Sequence, residues 1–133
     1  MQYDEFIGKV QSRARLASNG EAVRATRATL EVLAERLFAG EAENLAAQLP
    51  GEIAYYIRQV DKSERFGLDD FFGRVSEHEG VDLPEAIHHA RAVVSVLNEA
   101  VSKGEIDDIR AQLPVEFNPL FESGSEGEMA RKN

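Results

Sequence analysis

Residues 21–52, EAVRATRATLEVLAERLFAGEAENLAAQLPGE, recur 64 positions later as residues 85–116, EAIHHARAVVSVLNEAVSKGEIDDIRAQLPVE, and 14 of the 32 positions are identical. The matches run from Glu21/Glu85 and Arg27/Arg91 through Glu35/Glu99 and Gly40/Gly104. They close on Ala47-Gln48-Leu49-Pro50 against Ala111-Gln112-Leu113-Pro114. A preceding segment, Tyr3–Val10, matches Leu68–Val75 at an offset of 65, so one residue was gained or lost in the turn between. Self-similarity on this scale marks a repeated supersecondary unit. It predicts an all-α fold: a tandem pair of similar four-helix units packed as one pseudo-symmetric helical domain.

Each unit opens with an amphipathic helix, near 3–15 and 68–79, with Phe6, Ile7 and Val10 or Phe71, Phe72 and Val75 on one face. A turn containing Asn19-Gly20, or Gly80, stops it. Ser18 with Glu21, and Asp82 with Glu85, then have capping-box spacing for a long helix. Val23, Thr26, Leu30, Leu33 and Leu37 form its apolar stripe, and Ile87, Ala90, Val94, Leu97 and Val101 form the twin. Gly40 and Gly104 read as left-handed residues that end the long helix. A third helix follows near 41–48 and 105–112, with acidic residues at its positive end. Pro50 and Pro114 break the chain. A fourth helix is expected near 51–59, and a weaker one near 115–122 that Pro119 interrupts.

The two units (about 3–58 and 67–122) are joined by a short connector, Gln59–Gly67, in one domain over 1–122. Residues 123–133 lack apolar periodicity and read as a disordered acidic and polar tail. Because one unit of about 60 residues is marginal alone, the copies are expected to pack together. Tyr55, Tyr56, Phe66, Phe71, Phe72, Phe117 and Phe121 are the candidate contact aromatics, a dimer interface being the competing use for any left exposed.

Composition narrows the function. The net charge of −9 divides unevenly: residues 1–66 hold 10 acidic and 9 basic side chains, residues 67–133 hold 14 and 6. Without a basic face to displace counterions, nucleic acid is an unlikely partner. No cysteine is present, which excludes disulfides, thiolate metal ligands and thiol nucleophiles. There is no apolar run long enough for a membrane span, and the acidic N-terminus does not resemble a signal peptide. The expected location is cytoplasmic.

Few residues suggest chemistry. Glu85-x-x-His88 has the helical spacing of a bundle-type metal ligand pair, but its counterpart, Glu21-x-x-Arg24, lacks the histidine. His78, His88 and His89, all in the second unit, are weak candidates for a metal site. His88 and His89 are neighbours on a helix and point about 100° apart. The expectation is that no metal or cofactor is bound and that no catalytic residue is present. The recurring pairs Arg27/Arg91, Glu35/Glu99, Gln48/Gln112, Pro50/Pro114 and Gly40/Gly104 read as requirements of the fold, the glutamines as partners for backbone groups exposed at the Leu-Pro break.

The repeated Gly-Glu…Ala-x-Gln-Leu-Pro-x-Glu block and the initial Tyr3-Asp4-Glu5-Phe6 resemble a bacterial family catalogued as domain of unknown function 2267. The resemblance covers Tyr3 to Phe121. It implies a small, bacterial, all-helical cytoplasmic protein and transfers no catalytic residue. The expected function is a non-enzymatic protein-interaction or regulatory module, with a protein partner or self-association. The alternative is a small-ligand or metal-binding protein using the cleft between units or the His78/His88/His89 region.

Overall fold

The computed structural model describes residues 1–122; the tail proposed for 123–133 lies outside them. The described residues are all-helical, in the order α1 (Tyr3–Ala14), α2 (Asn19–Arg36), α3 (Ala39–Ala46), α4 (Gly51–Arg58), α5 (Leu68–Glu79), α6 (Leu83–Ala100), α7 (Lys103–Ala111), a 3-10 turn (Val115–Phe117) and α8 (Asn118–Phe121). No strand occurs among them. The long helices α2 and α6 touch at the centre. On them, α1 packs against both α2 and α6, and α5 against both α6 and α2. The first helix of each half therefore bridges to the long helix of the other.

The apolar periodicity explains this arrangement. Phe6, Ile7 and Val10 of α1, and Phe71 and Val75 of α5, are fully buried in one core with Leu30, Leu33, Leu37, Val94 and Leu97. In α2, burial extends beyond the expected stripe to Ala22, Ala25, Ala28 and Val32, because small side chains let four neighbouring helices approach it. The Phe71 ring stands edge-on to Phe72 at 5.9 Å and to Phe117 at 6.0 Å, so part of the expected aromatic packing joins α5 to the C-terminal turn. Phe66 and Phe121 are buried, Tyr56 is half-buried, and Tyr55 is exposed.

The ends of the helices correct the expected boundaries. Gly40 and Gly104 do not end α2 and α6; they lie in the first turns of α3 and α7, and neither has a positive φ. The stops come from Leu37 and Val101, whose extended backbones (φ −82°, ψ 154° and φ −120°, ψ 166°) turn their side chains into the core. Similarly, Asn19 and Gly20 belong to α2, and α1 ends one turn earlier at Arg15, in the left-handed conformation. Gly80 has the same conformation after α5, at φ 77°. Ser18 and Glu21 form a complete capping box, whereas Asp82 accepts from the Glu85 amide without the reciprocal bond.

The connector is laid along the end of α2. The Glu64 amide donates to the Glu35 carbonyl (2.7 Å), the Ser63 hydroxyl to the Leu37 carbonyl (2.8 Å), and Arg36 Nε to the Phe66 carbonyl (2.7 Å). The first two bonds satisfy carbonyls at the C-terminus of α2 that would otherwise lack partners, and the third ties the connector back to the helix. Arg36 is buried against the faces of Phe66 and Phe117, and that desolvation lowers its pKa.

Candidate functional site

Two of the recurring pairs, Glu35/Glu99 and Gln48/Gln112, reach across the halves. Lys9 Nζ of α1 donates to Glu99 of α6 at 2.9 Å; Arg13 also pairs with Glu99 and donates to the Ser95 hydroxyl at 2.6 Å. The matching set runs in the opposite direction: Arg74 of α5 donates to Glu35 of α2 at 2.8 Å, and His78 Nε2 and Nδ1 lie 3.4 Å and 3.0 Å from Glu35 and Glu31. Gln48 and Gln112 are also reciprocal. Gln48 Oε1 accepts the Ser102 amide (2.8 Å) at the start of α7, and Gln112 Oε1 accepts the Phe38 amide (3.2 Å) at the start of α3. Each glutamine thus serves a helix N-terminus in the other half rather than the local proline break.

The histidines do not converge. His78 turns to α2, His88 Nε2 donates to the Ala14 carbonyl at 3.2 Å, and His89 Nδ1 pairs with Glu79 inside the core. Burial pushes the Glu79 carboxyl upward, against the opposing effect of His89. Glu85 is exposed, with its amide capped by Asp82. Arg27 pairs with Glu31 one turn on and lies over the Tyr56 ring, and Arg91 is half-buried on α6.

Around His78 these contacts line a shallow polar cleft between α2, α5 and the connector. Glu31 gathers Arg27 (3.0 Å), Gln59 (2.7 Å) and His78 (3.0 Å), while Glu35, Asp61 and Lys62 complete the lining. The connector's Val60, Asp61 and Lys62 also border a larger cleft of about 430 Å³. Its floor is Ala34, Leu37, Ala42, Ile57 and Val60; its rim is Ala39, Glu43, Arg58, Asp61, Lys62 and Ser63. Arg58 grips Glu43 with Nη2–Oε2 at 2.9 Å and Nε–Oε1 at 3.1 Å, joining α4 to α3 at the mouth. That bond lowers the pKa of Glu43 and raises that of Arg58.

The floor residues carried no motif. They belong to ordinary apolar faces of three helices, and the irregular connector bending over them turns those faces into a cleft.

No helix among the described residues is long and apolar enough to cross a membrane. The family model described as an uncharacterized conserved protein (DUF2267) matches residues 3–120. No curated protein matches the chain.

Proposed function

The chain belongs to the DUF2267 family, and we propose that it is a non-enzymatic cytoplasmic binding module that seats an apolar anchor of a protein partner in the cleft beneath the connector. The observation carrying this reading is a built apolar floor, Ala34, Leu37, Ala42 and Ile57, reached from solvent between charged rim residues. Its volume of about 430 Å³ falls in the range of sites that enclose small ligands or side-chain anchors. Binding energy at protein interfaces concentrates where one large side chain enters such a desolvated pocket. At the rim Arg58 holds Glu43, Lys62 pairs with Glu64 and Ser63 donates to the Leu37 carbonyl, which suits shape recognition better than proton transfer.

Ala39 is exposed at the mouth of this cleft, so Ala39→Trp should fill it without disturbing the core. Crosslinking and affinity capture with the wild type should recover a partner that the Trp variant loses at least about tenfold, the value of one anchor side chain. Equal recovery of the same partner by both proteins would remove the cleft from the interface.

A second reading draws on the adjoining cleft, where Arg27, Gln59, Lys62 and His78 suit a small polar ligand. A ligand seated there would perturb the NMR signals of His78 and Gln59 and be indifferent to Ala39→Trp.

A further inference from the structure

The geometry points to a site for one hard divalent cation held between α3 and α7 by Glu41, Glu105 and Asp108. Glu41 and Glu105 occupy the same position, the third residue, of α3 and α7. In a capping box a glutamate there folds back onto the amide of the N-cap residue, as Glu21 does onto Ser18. Here those amides are already taken: Gln112 accepts from Phe38, and Gln48 accepts from Ser102. Relieved of the capping role, the two carboxylates are left to meet each other.

One oxygen from each of Glu41, Glu105 and Asp108 lies within 4.8 Å of the others. Glu105 is only 6% exposed, and its Oε2 has no hydrogen-bond partner; Glu41 Oε2 is likewise buried without one. Gln112 Nε2 donates to the other Glu41 oxygen at 3.2 Å, which fixes how that carboxylate is presented. Buried unpartnered acceptors of this kind are rare and need a donor or a cation. Two ionised carboxylates cannot face each other with nothing between them. Burial, reinforced by Glu41 and Asp108, pushes Glu105 up to about 8.

A single shared proton would satisfy two carboxylates. It leaves unexplained the third, Asp108, which stands exposed at the edge of the group where the corresponding residue of α3 is Asn44. Three carboxylates with one open side match a cation that keeps part of its water shell. The donors are all oxygen, which selects calcium, magnesium or manganese over softer metals. The neighbouring Lys103 is engaged with Asp107 and does not neutralise the group. This site is separate from the proposed docking cleft.

The test is titration of the full chain with calcium, magnesium or manganese chloride, followed by calorimetry and thermal unfolding, beside Glu105→Gln and Asp108→Asn. At least one cation should bind once per chain and raise the unfolding midpoint by several degrees. Affinity should be lost in Glu105→Gln and fall at least about tenfold in Asp108→Asn, an exposed position where the fold is not at stake. Absence of heat and of any midpoint shift with all three cations would overturn the proposal and leave a proton-sharing pair. Undiminished binding in both variants would overturn it as well.

Discussion

Arg15 ends α1 with φ 55° and ψ 46°, a left-handed conformation that costs an L-residue about 1–2 kcal/mol. The geometry persists because its amide and that of Leu16 close the helix onto the Ser12 and Gln11 carbonyls. At the equivalent turn after α5, Gly80 takes the same conformation without a Cβ penalty. Arg15→Gly should therefore stabilise the protein by about 0.5–1 kcal/mol, the relief being partly offset by the greater entropy of glycine in the unfolded chain. Urea denaturation would show this as a higher midpoint at unchanged slope. Arg15 is exposed, so little packing is lost with it. A second residue-scale expectation concerns Glu99, whose pKa is lowered by its hydrogen bonds to Lys9 and Arg13. With the folded value below the unfolded one, the pair contributes stability above the ordinary carboxylate range and loses it as pH falls through the folded value. Glu99 is 43% exposed at its side chain, so Glu99→Gln should cost only about 1 kcal/mol near neutral pH. Unfolding curves at successively lower pH should show the two proteins converging below about pH 4.

Among the elements, α3 shows what local sequence does and does not specify. Its N-cap is Phe38, which has no side-chain acceptor for the first-turn amides, and the amide of Phe38 itself is taken by Gln112 from 74 positions away. The start of α7 takes Gln48 in the same way, alongside its own Ser102 cap. Gln48→Ala and Gln112→Ala should each lower stability by about 1 kcal/mol, the usual value of a helix-capping bond. The cost should be larger for Gln112, since Phe38 has no second cap, and chemical denaturation of both single variants would measure the difference. The helices themselves were legible from apolar spacing and from the offset between matching segments. Gly40 and Gly104 misled because glycine more often closes a helix than occupies its first turn, while the actual stop, burial of Leu37 and Val101, is a tertiary event. The candidate clefts and the Glu41/Glu105/Asp108 group escaped notice for a related reason. The larger cleft exists only because the connector bends over α2, α3 and α4. The shallow cleft and the carboxylate group join residues far apart in sequence, and a glutamate in a first helical turn is ordinary until its capping amide proves to be occupied. Histidines drew attention by rarity, yet the fold sends the three to different partners.

At the scale of the whole molecule, the halves are joined by more than the connector. Lys9 and Arg13 hold α1 to α6, Arg74 and His78 hold α5 to α2, and the two glutamines cross in both directions. A fragment of residues 1–66 would expose the faces of α1 and α2 that α5 and α6 cover. It should show no cooperative unfolding transition as a monomer, because so short a chain buries too little apolar surface on its own. Calorimetry with light scattering on the fragment would check this, and a stable, cooperatively melting monomer would contradict it.

The crossing of α1 onto α6 also has a temporal side. A ribosome makes α1 first and α6 last among the long helices, adding about 5–20 residues per second. Phe6, Ile7 and Val10 must therefore wait, for several seconds, until Ser95 and Glu99 have left the exit tunnel before their second neighbour exists. During that interval α1 has α2 to settle on, but the part of its apolar face that α6 will cover stays open. The order of synthesis thus leaves closure of the core to the second half, which must arrive before the first is fully covered.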